Sequence, residues 1–175
     1  MSQAQSNKIE TGNFFVTNYS RSYLNSITGN WTILQDPEGV IYIGNSFNGI
    51  LVYDGQKIRR VLNNQGLPKL GGTRTLVSDS KNTIYAILGG EFGYLEKNKF
   101  GESIFYSLSD KLSKKDQVNS TLWSAGVIND TVIFQSEKSV YLYKYKKLLK
   151  VQHFNSILHT AKINKGGAFL RIWDE

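Results

Sequence analysis

Residues 31–56 read WTILQDPEGVIYIGNSFNGILVYDGQ, three short apolar runs cut by two turn signals. The DPEG at 36–39, the NG at 48–49 and the DG at 54–55 are hairpin punctuation, because Gly and Asn tolerate the positive φ of tight connections. Runs rich in Val, Ile and Tyr between such turns form antiparallel strands. The fold then depends on whether this rhythm recurs.

It recurs. The segment VIYIGNSFNGILVYDG at 40–55 returns as TIYAILGGEFGYLEKN at 83–98, with Ile41, Tyr42 and Gly49 matched to Ile84, Tyr85 and Gly93. It returns again as TVIFQSEKSVYLYKYK from Thr131. Each unit is an apolar strand, a polar turn (36–39, 79–82, 129–130), a second strand, a Gly or Ser turn, a third strand and a more charged fourth. A period of about 43–47 residues matches four-stranded propeller blades and is too long for leucine-rich or ankyrin units.

The predicted fold class is all-β: a partial β-propeller of about three and a half four-stranded antiparallel blades, truncated from a larger ring. The units expected are a lead-in over 1–28, then blades over 29–70, 71–118 and 119–157, and the start of a fourth over 158–175. One meander needs neighbours on both sides to cover its apolar faces. An open arc leaves a sheet face uncovered and is expected to self-associate.

Composition agrees. With 10 Tyr, 9 Phe and 3 Trp in 175 residues, the chain can fill a core and favours strands over helices. The absence of Cys removes disulfides, thiolate zinc sites and thiol nucleophiles. The polar N-terminal stretch MSQAQSNKIETGN is not an intact signal peptide, and no run of 18 apolar residues occurs. A net charge of +7 favours anionic partners. The YKYKKLLK run at 143–150 interleaves aromatic and basic residues, but it reads as an outer strand with a lysine-protected edge, so no nucleic-acid partner is expected.

The stretches NFFVTNYS from Asn13, NWTILQDPEGVIYIGNSFNGILVYDGQKIRRV, VSDSKNTIYAILGGEFGYLE and YSLSDKL together resemble the N-terminal sensor propeller of bacterial two-component regulators. In that family regulator-propeller repeats precede a Tyr-rich sandwich, the three-Y domain. The resemblance implies a periplasmic segment of a membrane-anchored sensor, further blades, a membrane helix, and a kinase or DNA-binding output domain. Membrane contact would run only through those parts. Many relatives sense carbohydrate fragments.

Enzyme signatures are missing. His153 and His159 are not in metal-ligand spacing, and no GxSxG, Walker or dinucleotide loop occurs, so no catalytic residue, metal or cofactor is expected. LGGEFG at 88–93 lacks the following helix a phosphate cradle needs and reads as a turn. Asp36 and Asp79 recur at one position and read as turn caps.

Propeller geometry puts ligands at the loops entering each first strand and joining the second strand to the third. The candidate binding residues are therefore Trp31, Asn45, Asn48, Arg74, Glu91, Trp123 and His159. Trp31 and Trp123 hold comparable places in their units and Arg74 a similar one, a combination able to stack on a sugar ring and fork onto a carboxylate or sulfate. The competing reading is that both Trp residues pack between blades. The function expected is non-catalytic sensing of an oligosaccharide or other extracellular ligand, relayed to downstream domains of the same polypeptide. The alternatives are a carbohydrate-active propeller enzyme such as a polysaccharide lyase, and a protein-binding scaffold.

Overall fold

The computed structural model of the chain describes Ser20 and residues 29–164 and 167–173, with backbone alone for 159–164, 168–170 and 172–173. Apart from Ser20, the expected lead-in over 1–28 lies outside the described residues. Among the described residues the turn-punctuated runs form fourteen strands. The first sheet is β1 (Asn30–Gln35), β2 (Ile41–Asn45), β3 (Ile50–Tyr53) and β4 (Ile58–Arg60). The second is β5 (Thr73–Ser78), β6 (Ile84–Leu88), β7 (Glu91–Lys97) and β8 (Ser103–Ser107). The third is β9 (Leu122–Ile128), β10 (Thr131–Ser136), β11 (Ser139–Lys144) and β12 (Lys147–His153). A hairpin of β13 (Ile157–Asn164) and β14 (Gly167–Trp173) follows. Two short 3-10 turns, Ser109–Lys111 and Lys114–Asp116, join the second sheet to the third.

Each sheet is an antiparallel meander in which strands pair in chain order. Because successive side chains on a strand point to opposite faces, β6 serves two interfaces at once. Ile84, Ala86 and Leu88 pack with Tyr42, Ile50 and Val61 of the first sheet and its linker. Tyr85 and Ile87 join a second core with Val132, Phe134, Tyr141 and Tyr143 of the third sheet. All five residues of β6 are buried, as a strand covered on both faces must be. At the centre of the second core the rings of Phe92 and Phe134 stack at 4.4 Å, and Tyr141 and Tyr143 lie 4.9 and 5.6 Å from Phe92. Ile133 and Val140 carry the series on to Leu158 of β13. The first strands are neighbours throughout: β1 touches β5, β5 touches β9, and β9 touches β13.

The turns explain the registers. Asp36 Oδ1 accepts the backbone N–H groups of Glu38 and Val40, and Asp79 Oδ1 accepts those of Lys81 and Thr83. In both units a Tyr of the next strand donates to the other carboxylate oxygen: Tyr42 to Asp36 at 3.3 Å and Tyr85 to Asp79 at 3.1 Å. The two Asp residues thus cap their turns, as their repetition indicates.

Three expectations need correction. Gly93 does not correspond to Gly49. The first sheet uses a longer turn closed by Gly49 at φ 77°, whereas the second uses the two-residue pair Gly89–Gly90 at φ 62° and 83°, which leaves Gly93 inside β7 opposite Ala86. Nor is the fourth strand always charged. Ser103, Ile104 and Phe105 of β8 are buried because the linker after β4 pairs along that edge, Leu62 N–H donating to Ser103 O and Phe105 N–H to Leu62 O. The YKYKKLLK run is not one outer strand. It folds back at Tyr145–Lys146, both at positive φ, dividing the basic residues between β11 and β12.

Candidate functional site

The ends of the first strands share one irregularity. In β1, Asn30 pairs with Asn45 and Thr32 with Gly44, so Trp31 is an extra, unpaired residue. In β5, Thr73 pairs with Leu88 and Thr75 with Ile87, leaving Arg74 extra. In β9, Leu122 pairs with Ser136 and Ser124 with Gln135, leaving Trp123 extra. In β13, Leu158 pairs with Ile172 and Thr160 with Arg171, and the extra residue is His159, whose side chain lies outside the described residues. A bulge of this kind breaks the in-out alternation and re-aims one side chain. The extra residue stands at the same place in four successive units.

Since the first strands are adjacent, the re-aimed side chains meet. The Arg74 guanidinium carbon lies 5.3 Å from the Trp31 ring centroid and 4.6 Å from that of Trp123. Each sheet contributes one member, with Arg74 flanked by indoles from the sheets on either side. The Trp31 ring also rests on the backbone at Gly72, where a Cβ would come within 3.1 Å of it. Packing between units is therefore real for Trp31, yet Trp31 and Trp123 remain 52% and 43% exposed, and Arg74 is exposed too. Inter-unit contact and an accessible surface coexist in the same three residues. At the neighbouring turn between β2 and β3, Phe47 is exposed and its carbonyl accepts the Gly71 N–H.

The other candidates go elsewhere. Asn45 is fully buried: its amide donates to Gly29 O and Asn30 Oδ1, and its Oδ1 accepts the N–H groups of Phe47 and Asn48. This is a turn fastener. Asn48 makes a parallel bridge with Gly71 and ties the first sheet to the second. Glu91 is held at 2.5 Å by Lys69, which also lies 5.6 Å over the Phe105 ring, in a separate cleft of about 210 Å³ that includes Asp110 and Lys111.

Two further groupings bear on chemistry. At the opposite strand ends, a cleft of about 360 Å³ between the first and second sheets includes Asp36, Glu38, Lys81, Glu96, Lys97 and Lys146. Two ion pairs there cross between sheets: Lys97 bonds Glu38 at 2.6 Å, and Lys146 bonds Glu96. The Lys97 ammonium beside Glu38 lowers that carboxyl's pKa. On the third sheet, Ser139 Oγ lies 2.9 Å from His153 Nδ1, and His153 Nε2 lies 3.0 Å from Asp116 Oδ1. The composition is that of a hydrolytic triad, but the serine is on the Nδ1 side and buried inside its hairpin, where its N–H is held by Ser136 Oγ. The chain of bonds clamps β12 to the linker at Asp116, whose carboxyl pKa is lowered first by the Ser113 hydroxyl and then by His153. No group of three or more metal-ligating side chains occurs among the described residues.

Sequence reading found all four bulge positions but put them in loops. They are strand residues, and the signal was present: each is followed by a hydroxyl residue, Thr32, Thr75, Ser124 and Thr160.

No protein-family model matches the chain, and no curated protein matches it. Among solved structures it is similar to a crystal structure of the extracellular domain ascribed to a one-component system of B. thetaiotaomicron, at a TM-score of 0.54 and 16% identity. The match takes in 84% of this chain and 20% of that one, so the chain spans about a fifth of its neighbour's length. The likeness is one of fold. No helix among the described residues is long and apolar enough to cross a membrane.

Proposed function

We propose that this chain is part of a β-propeller that senses a ligand outside the cytoplasm, one blade to each four-stranded sheet. The observation that carries the reading is the Trp31–Arg74–Trp123 cluster, built from the same bulge in three adjacent first strands. A bulge conforms one strand end for a purpose other than pairing, and its recurrence aims successive units at a common point. The fold likeness to an extracellular domain of a one-component system supports a sensory role and an extracytoplasmic setting. The two-component and three-Y affiliation, the periplasmic location and the carbohydrate ligand extend this reading. We assign no catalytic step: Glu91 is ion-paired with Lys69, and Ser139, His153 and Asp116 are bonded to one another.

The test is a thermal-shift screen of the chain against an oligosaccharide panel, because a ligand that binds only the folded state raises Tm. A rise of several degrees with one glycan class, abolished in a Trp31→Ala/Trp123→Ala double variant, is the expected result. A flat panel together with capture of a protein partner by the same face would replace sensing of glycans with scaffolding.

A further inference from the structure

We infer that the ligand presents an oxyanion, a uronate carboxylate or a sulfate on an oligosaccharide, and that Arg74 binds it. This rests on the sensor reading and narrows it. A guanidinium carries five N–H donors and no acceptor, and an indole adds one N–H donor and no acceptor, so Trp31, Arg74 and Trp123 form a cluster that can only donate. The π faces of the indoles attract the cation and hold it between them, and neither ring supplies a counter-charge. Among the described residues no carboxylate or other acceptor bonds the Arg74 guanidinium.

Four other cations contrast with this. Arg59 has Asp54 at 2.9 Å, Lys69 has Glu91, Lys97 has Glu38 and Lys146 has Glu96, each pair serving a turn or an inter-sheet seam. Arg74 is held between indoles from the sheets on either side, and among the described residues no carboxylate stands against it as a counter-charge. A planar carboxylate meets its fork with two parallel charge-assisted hydrogen bonds, and a sulfate offers the same oxygens in tetrahedral form. A neutral sugar offers only hydroxyls, which accept more weakly. The net charge of +7 draws such a ligand in from a distance.

The experiment is calorimetric titration of the chain with matched glycans: uronate oligosaccharides against their methyl esters, and sulfated oligosaccharides against their desulfated forms. Binding is expected only for the charged member of a pair. Arg74→Met, which keeps the stem and removes the fork, should abolish it with unchanged circular dichroism and a Tm lower by no more than a few degrees, the lost cation–π attraction. Arg74→Lys, which keeps charge without the bidentate geometry, should weaken it about tenfold or more. Which pair binds separates carboxylate from sulfate. Equal binding of the neutral counterpart, or unchanged affinity in Arg74→Met, overturns the inference and leaves glycan sensing standing. If neither member of any pair binds, the inference also fails, while a neutral glycan raising Tm in the broader screen would still uphold sensing.

Discussion

At the scale of single residues, the chain reuses one device: a short polar side chain folded back onto the backbone two to four residues ahead. Asp36, Asp54, Asn63, Asp79 and Asn98 each accept two such N–H bonds. For Asp36 and Asp79 this was legible in the sequence, because an Asx turn is a local event that needs only neighbours in the chain. Thr73 shows what was not legible. It is fully buried against the first sheet and its Oγ1 has no hydrogen-bond partner among the described residues. A buried, unsatisfied hydroxyl costs about 1–3 kcal/mol, so Thr73→Val, which matches its shape, is expected to stabilise the fold by about 1 kcal/mol. The check is a higher urea midpoint at unchanged m-value. Asn45 and Glu91 illustrate the same limit, since their types suggest ligand contacts and only the fold supplies the partners that occupy them.

At the scale of elements, the meander order and the Asp-capped turns followed from sequence, while register and the turns at 89–90 and 145–146 did not. The bulges at Trp31, Arg74 and Trp123 are defects in pairing, and pairing is defined by a second strand whose alignment no single strand encodes. The Gly93 correction has the same origin: a two-residue turn and a longer one produce similar apolar spacing but shift the glycine from turn to strand. Gly93 now has a specific role. A Cβ there would stand 2.1 Å from Tyr106 O and 2.8 Å from the Phe105 ring, so the pairing of β7 with β8 requires its absence. Gly93→Ala is expected to destabilise by about 1–3 kcal/mol or more through overpacking, although alanine suits a strand at least as well as glycine. Chemical unfolding measures the loss, and enhanced amide exchange confined to β7 and β8 would locate it.

At the scale of the whole molecule, stability resides between sheets. The seam of the second and third sheets holds the phenols of Tyr85, Tyr141 and Tyr143, and burial raises the pKa of each above the ordinary value of 10.0, that of Tyr143 to about 12. The anionic form is thus disfavoured more in the folded state than in the unfolded chain, and the contribution of these groups to stability is complete below pH 10. From there upward the unfolded chain releases protons that the folded one retains, so stability falls as pH climbs toward 12. Unfolding midpoints should decline over that window, with a class of tyrosines that ionises only as the protein unfolds. A phenol titration superimposable on that of free tyrosine would contradict the seam. By itself the sequence determined the antiparallel meander, the recurrence of its unit and the capped turns, because side-chain alternation and Asx turns act over a few residues. Tertiary structure alone decided that Trp31, Arg74 and Trp123 become neighbours, because their meeting depends on stacking three sheets so that their first strands align, and that stacking is set by the apolar faces between them.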